Sequence, residues 1–552
     1  MKTFDFVIIG GGSAGCVLAD KLSASGEHSV CLLEAGKADK NWLIHLPIGI
    51  IALLQNRSLN WQFNSQQEKT LNNREIFTPR GKTLGGSSSI NAMLYVRGQQ
   101  NDYDHWHSLG NTGWSFNDVL PYFKAFEHQE RGPDDFHGIN GALNVADSVS
   151  KPAINENFIQ SAIAAGYPEN HDFNGASQEG IGYYQVTQKN GLRHSAAKAF
   201  LTPNLHRKNL TVITQTQVEK IVINDGIATG VRYKHRSKVQ QIIANHEVIL
   251  SAGAINSPQI LMLSGVGPKA ELAKHDIELV QALEGVGKNL QDHVDVLNVA
   301  QHNVSQVMAF RPKSIWWGAK ETLKFITKRT GLLTTVIAET GGFIKSDPTL
   351  DEPDLQLHFV PAAMDDHGRN LKLLFTYGIS LHVCLLRPKS RGTVTLNSNK
   401  IAQHPRIHMN MLDHQDDIDT MVKGVKIARK ILSTSPLSLT HIKHIFPGED
   451  CTTDQDIHQF LKEKCNTIYH PVGTCKMGQD ELSVVNEQLK VRGIKQLRVV
   501  DASIMPTLIS GNTNAPTMMI AAKAADMILA EHALAQDKVK VTSRINLNKK
   551  NK

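Results

Sequence analysis

Residues 4–15 of this 552-residue chain read Phe4-Asp5-Phe6-Val7-Ile8-Ile9-Gly10-Gly11-Gly12-Ser13-Ala14-Gly15, and a helix-compatible run, 16–22, follows. Mostly apolar residues running into clustered glycines predict a strand, a tight turn and a helix. Gly10, Gly12 and Gly15 stand at the G-x-G-x-x-G spacing. The first lets the backbone turn, the second lets a pyrophosphate approach, and the third lets the helix pack against the strand. The helix start then offers unpaired N–H groups and a positive dipole end to phosphate. A second apolar run, 29–33, ends at Glu34, nineteen residues past Gly15, where an acid meets ribose hydroxyls. The stretch predicts an α/β, Rossmann-like dinucleotide site without separating NAD from FAD.

The length exceeds what one simple core fills, so two or three domain-sized units are expected. Apolar and charged contents of 41% and 20% are those of a soluble globular protein. The longest apolar candidate for a membrane span, 42–54, is short and carries His45 and Pro47. The first residues could be mistaken for a signal peptide, but cleavage there would destroy the glycine fingerprint, so a cytoplasmic protein is expected. Six cysteines form no C-x-x-C pair, and Pro405 between His404 and His408 argues against a helix presenting both to a metal. No metal site is expected. The net charge of +7 comes without an aromatic-interleaved basic motif, which argues against nucleic acid and leaves a weak attraction to anionic surfaces.

Outward from the fingerprint, residues 37–73 show no clear period and read as a long connection. Pro79-Arg80-Gly81-Lys82-Thr83-Leu84-Gly85-Gly86-Ser87-Ser88-Ser89-Ile90-Asn91 is a second glycine-and-serine loop, read as entering a helix and suited to a phosphate or flavin contact. Residues 213–223 read as a strand. Strand 247–253 runs into a helix with Ser257 as N-cap, Pro258 in its first turn and Gly265 as its stop. The dinucleotide domain therefore resumes after an insertion. The expected division is 1–155, 210–310 and 465–535 for that domain, 156–209 and 311–464 for a substrate domain with an antiparallel sheet and helices, and 536–552 for a basic, disordered tail. Trp316, Ala319, Leu323 and Ile326 fall on one helical face, and Lys320, Lys324 and Lys328 on another. Such a helix either lies on an anionic membrane or packs on its own domain.

The last hundred residues carry Tyr469-His470-Pro471-Val472-Gly473-Thr474-Cys475, a strand ending at Asp501, and Gly511-Asn512-Thr513-Asn514-Ala515-Pro516 before a helix. A histidine can take the proton of an alcohol as hydride leaves the adjacent carbon, and an asparagine can donate to the developing alkoxide. His470 and Asn514 are the candidates for those roles.

Four of these regions, Gly10–Gly15, Gly81–Asn91, Gly253–Gly267 and His470–Gly478, together with Asp501, resemble the signatures of the glucose-methanol-choline (GMC) family of FAD-dependent oxidoreductases, in the family's order. The resemblance implies a FAD domain built from three sequence pieces and a substrate domain over the flavin. It implies that His470 is the base and that Asn514, forty-four residues on, is its partner. It also implies FAD contacts from Gly10, Gly12, Ser13, Ala14, Gly15, Glu34, Ala35, Gly85, Gly86, Ser88, Asn91, Val218, Asp501, Ala502, Asn514 and Pro516. Members that link FAD covalently do so through a histidine directly before the loop asparagine. Ile90 stands there, so dissociable FAD is expected.

Within the family, Asn190-Gly191, residues 43–49 and 469–475 are similar to alkanol dehydrogenases that oxidise aliphatic primary alcohols to aldehydes and pass electrons to a quinone or another respiratory acceptor. Choline dehydrogenases are the close competitor. Their substrate needs a carboxylate or aromatic cage, for which Glu339 is a candidate, whereas an alkanol needs an apolar channel. Hydroxynitrile lyases, which share the family fold, and a flavoprotein that binds FAD without redox catalysis form the alternatives of another class. The oligomeric state and the choice of dehydrogenase or oxidase stay open.

Overall fold

The apolar runs at 6–9, 30–33 and 248–250 become adjacent strands whose residues are almost wholly buried, as strands covered on both faces of a parallel sheet must be. The computed structural model describes residues 2–550 apart from 305, 306, 310 and 311, without the side chains of 312–315, 317, 367, 371, 374 and 535–550. Its first sheet has seven strands, in the order Leu210–Ile213, Val30–Leu33, Lys2–Ile9, Lys238–Leu250, Ile227–His235 and Thr216–Asn224. Leu497–Val499 pairs in parallel with the end of Lys238–Leu250, whose beginning pairs antiparallel with Ile227–His235. One sheet thus gathers segments from both ends of the chain. The α-helix Ser13–Ser23 and the final helix Asn514–Lys550 pack together beside it.

The second sheet also has seven strands and is antiparallel. Its order is His441–Phe446, Val294–His302, Gly378–Leu385, Leu355–Val360, Thr340–Ile344 and Gly180–Tyr183, with Asn466–Thr467 against Val294 and Asp295. Alternation divides its faces: Leu355, Leu357 and Phe359 enter a core shared with helix Gln415–Leu432, while His358 and Val360 line the cavity between the sheets. Strand Val294–His302 belongs here, although residues up to 310 were expected in the dinucleotide domain. Its hydrogen bonds to Gly378–Leu385 on one side and His441–Phe446 on the other decide the matter.

Three local expectations are corrected. The helix after strand 247–250 is Gly253–Leu263, so Ser257 and Pro258 lie inside it. Ser257 Oγ donates to Asp501 Oδ2 (2.6 Å) and accepts from Ala252 N (3.1 Å). Pro258 has no N–H to give the carbonyl one turn earlier, and the Thr474 hydroxyl donates to Ala254 O instead, at 2.6 Å. The 79–91 loop makes only a 3-10 turn, Gly86–Ser89, and enters no helix. Asn91 Oδ1 accepts from Met93 N (3.0 Å), and Met93 takes φ +62°, a local turn that competes with helix. The expected strand over 213–223 is broken at Gln215, where φ is +54°, into Leu210–Ile213 and Thr216–Asn224. The basic tail expected to be disordered over 536–552 instead continues the final helix Asn514–Lys550, and residues 551 and 552 lie outside those described.

Candidate active site

Glycine is required where the two loops meet the first sheet. A Cβ on Gly15 would stand 1.9 Å from Gly10 O, and one on Gly10, at φ +104°, 2.4 Å from Ser251 O. The second glycine loop presses on the first: a Cβ on Gly86 would lie 2.7 Å from Gly12 Cα, and Gly85 N donates to Gly11 O at 2.7 Å. Helix Ser13–Ser23 has no side-chain cap, and Gly12, Ser13 and Ala14 at its start line the cavity that both loops border.

That cavity, of about 850 Å³, runs from the glycine loops to the antiparallel sheet. Of the residues assigned to FAD from the sequence, Gly10, Gly12, Ser13, Ala14, Glu34, Ala35, Gly86, Asn91, Val218, Asp501, Ala502 and Asn514 line it. Gly15, Gly85, Ser88 and Pro516 do not, and their surroundings explain why. Gly15 is spent on the helix–strand approach, Gly85 on its bond to Gly11, and Ser88 Oγ on Gly85 O (2.6 Å). Pro516 sits in the first turn of the final helix, with Asn514 ahead of it on the cavity wall.

The two cavity carboxylates of this half are also architectural. Glu34 accepts from Gly11 N (2.8 Å) and Gly36 N (2.7 Å), and burial pushes its carboxyl up to about 7. Asp501 accepts from Gly253 N, Ser257 Oγ and Ser503 N. Each thereby fixes a turn at the dinucleotide end.

At the other end His470 follows Tyr469, which is held at φ +72°. Asp292 fastens the loop, accepting from His470 N (2.8 Å) and Thr467 Oγ1 (2.5 Å). Burial pushes the Asp292 carboxyl up to about 6. His470 makes two ring contacts: Nδ1 lies 2.9 Å from His293 Nδ1, and Nε2 lies 3.2 Å from Asn512 Nδ2.

These contacts define the tautomer. His293 Nε2 is 3.1 Å from the Ile509 carbonyl, which can only accept, so Nε2 carries the His293 proton. His293 Nδ1 is then the acceptor, and His470 Nδ1–H the donor. Nε2 of His470 is left with its lone pair on the Asn512 side. Gln356 Nε2 donates to Asn512 Oδ1 (3.2 Å), which turns the Asn512 amide N–H towards His470. Burial, and then the neighbouring His293 ring, hold His470 well below the ordinary histidine range; burial alone takes His293 down to about 4. Both rings are neutral at neutral pH. His470 is therefore a base in its working form.

The expected partner, Asn514, is elsewhere. Its Oδ1 accepts from Ser13 Oγ at 2.7 Å, linking the start of the final helix to the first glycine loop. The asparagine at His470 is Asn512. Sequence reasoning also passed over His293, Asp292 and Gln356, although the adjacent polar residues at 291–293, before a strand, were a local signal.

Glu339, the candidate ammonium partner, is fully buried and outside the cavity lining, bonded to Thr335 and Asn155. The substrate end is lined instead by Met308, Val336, Ile337, Ala338, Val360 and Met364, with His358, His382 and Tyr469 beside them. Among the described residues the carboxylates lining the cavity are Glu34 and Asp501, both in the dinucleotide half. The face of Trp61, at the boundary, is occupied by Lys82 Nζ, 4.3 Å from the ring centroid.

A dinucleotide-shaped cavity whose far end holds a neutral histidine base defines a flavin- or nicotinamide-dependent oxidoreductase. Comparison with known proteins resolves the class. The N-terminal and C-terminal models of the GMC oxidoreductases match residues 4–295 and 388–521, and the chain belongs to the GMC oxidoreductase family. It is 46% identical over 539 residues to an alcohol dehydrogenase [acceptor] of Pseudomonas putida, covering 96% of this chain and 97% of the relative. It is 40% identical over 546 residues to the mitochondrial choline dehydrogenase of Homo sapiens, covering 96% and 90%. Formate oxidase has the same fold at a TM-score of 0.88 and 27% identity, covering 96% of this chain and 99% of the other. Pyridoxine 4-oxidase of Mesorbium loti gives 0.86 and 27%, covering 95% and 98%. The protein is accordingly a FAD-dependent oxidoreductase, and the glycine cradle fits the cofactor's pyrophosphate.

Proposed function

We propose that the protein oxidises aliphatic primary alcohols to aldehydes and delivers the electrons to a quinone or another acceptor. FAD, when bound, supplies the hydride acceptor, at N5 of its flavin. His470 Nε2 takes the hydroxyl proton, and Asn512 Nδ2 donates to the same oxygen as negative charge develops on it. His293 and Gln356 hold those two groups in their donor and acceptor orientations. The observation that carries the choice of alkanol over choline is the substrate end itself. Its lining is largely aliphatic, with the rings of Tyr469, His358 and His382 beside it, and holds, among the described residues, no carboxylate, which suits an alkyl chain and offers a quaternary ammonium no counter-charge. Relatives bearing each name, at 46% and 40% identity, leave both substrate classes open, and the aliphatic part of the lining supports the alkanol reading.

The acceptor side is supported by helix Pro312–Lys328, which contributes Gly318 to the cavity lining. Phe325 and Glu321 face inward, while Trp316, Leu323 and Ile326 are 83%, 61% and 68% exposed. Lys320, Lys324 and Lys328 flank them, also exposed. An apolar stripe turned outward beside lysines favours peripheral contact with an anionic lipid surface. No helix among the described residues is long and apolar enough to cross a membrane.

The test is anaerobic titration of the flavin spectrum with a medium-chain primary alcohol and, separately, with choline. Bleaching by the alkanol is expected. Bleaching by choline alone would overturn the reading of the substrate end, and readmitting air after bleaching reports whether oxygen serves as acceptor.

A further inference from the structure

Asn190 and Gly191, at φ +53° and +70°, form a tight turn between the short strands Gln188–Lys189 and Leu192–Arg193. Both central residues at positive φ is the hairpin geometry that Asn-Gly favours. The hairpin carries Arg193 into the interior, where it is 3% exposed. Its Nε donates to Ile44 O (2.7 Å), and its Nη1 to Asn91 Oδ1 (2.7 Å) and Ser88 O (3.2 Å). All three acceptors are neutral. Nη2 is buried with no partner among the described residues, and no described carboxylate makes an ion pair with this guanidinium. A buried, uncompensated cation is costly. Burial takes Arg193 down to about 9, so it still carries its charge at neutral pH.

The place where it is held gives the charge a use. Asn91 lines the cavity on the second glycine loop. Its Oδ1 is engaged twice, by Arg193 Nη1 and by Met93 N, which leaves its Nδ2 group as the donor available to a cavity ligand. We propose that Arg193 is a positioning residue for the cofactor, fixing the Asn91 amide with its N–H group free for FAD and lending the flavin site a positive charge that favours the reduced, more negatively charged cofactor. The proposal rests on the flavin assignment above and concerns a residue that does not itself line the cavity.

The experiment compares wild type, Arg193→Gln and Arg193→Lys by titrating deflavinated protein with FAD, and by equilibrating holoenzyme with a reference dye to read the midpoint potential. Arg193→Gln is expected to bind FAD more weakly and to lose about tenfold more affinity for the reduced than for the oxidised form. That difference is a fall of about 30 mV for a two-electron couple. Arg193→Lys keeps the charge, so its potential should lie nearer wild type, while its FAD affinity stays low because an ammonium cannot reproduce the planar fork to three acceptors. Wild-type affinity and potential in Arg193→Gln would overturn the inference. A Lys variant whose potential falls as far as that of the Gln variant would remove the charge argument. If Arg193→Gln does not fold, Asn91→Ala carries the test: FAD affinity should fall with the potential close to wild type, and undiminished affinity would overturn the proposal. Wild-type protein that takes up no FAD would instead defeat the flavin reading.

Discussion

Replacing His293 tests the hydrogen-bond chain on which the base depends. In His293→Leu the His470 Nδ1–H loses its acceptor at 2.9 Å and the Ile509 carbonyl loses its donor at 3.1 Å. Leaving one such buried group unpaired costs about 1–3 kcal/mol. The imidazole can recover that energy by rotating, or by moving its proton to Nε2, and either change removes the lone pair facing Asn512. Since each 1.4 kcal/mol is a factor of ten, the rate of flavin reduction by alcohol should fall roughly five- to 150-fold, with FAD content unchanged. The assay is anaerobic stopped-flow absorbance across pH. His470 is held below its ordinary range first by burial and then by the His293 ring, and a base works only unprotonated. The wild-type rate should therefore decline only as pH falls below 6.5. Loss of the His293 ring removes one cause of the depression, so the acid limb in His293→Leu should move to higher pH. His293→Gln, whose carbonyl can accept from His470 and whose amide can donate to Ile509, should recover most of the rate. A His293→Leu enzyme with wild-type rate and pH profile, or a Gln variant as slow as the Leu variant, would refute the reasoning.

The two asparagines should separate cleanly: Asn512→Ala is expected to slow flavin reduction by roughly two to three orders of magnitude with FAD retained, whereas Asn514→Ala, which loses the bond to Ser13, should weaken FAD retention more than the rate. His470→Ala should keep FAD and reduce its reduction rate by about two to four orders of magnitude, measured in the same stopped-flow assay. His302 is fully buried, and burial and then the neighbouring His441 and His444 rings hold it down to about 4. The unfolded chain takes up that proton first, so thermal stability should be complete above about pH 6.5 and fall as pH drops towards 4, with a shallower slope in His302→Gln. Co-sedimentation with anionic vesicles at low salt should be lost in the Trp316→Ala, Leu323→Asn, Ile326→Asn triple variant, while truncation after residue 536 should retain it; the reverse pattern would assign lipid contact to the tail. Acid or heat denaturation should release intact FAD into the supernatant, and flavin remaining on the precipitate would show a covalent link.

Much of the dinucleotide half is legible because its determinants are contiguous. Gly15 is demanded by its approach to Gly10, five residues earlier, and Gly10 by its approach to the end of the adjacent strand, while Glu34 ends the next strand in the sheet. The substrate half is less so. Strand Val294–His302 adjoins the dinucleotide segments in sequence, yet its partners are strands beginning at residues 378 and 441, and such pairings leave no local mark. The amphipathic helix shows the same limit. Periodicity puts Trp316, Leu323 and Ile326 on one face, but the face that packs holds Phe325 and the acid Glu321, which accepts from Leu332 N (3.0 Å).

By itself, the sequence determined the glycine cradle, the acid at the end of the second strand and the histidine set in a Pro- and Gly-fixed loop, because each is a local requirement of backbone geometry or chemistry. The tertiary structure alone decided what surrounds that histidine. His293 lies 177 residues away along the chain and Asn512 lies 42. Asn512 and Asn514 are two residues apart and chemically identical, and only the path of the chain into the final helix sends one to His470 and the other to Ser13. Side-chain direction over two residues depends on the backbone dihedrals between them, and those are fixed by packing between the two sheets, which no short stretch of sequence contains.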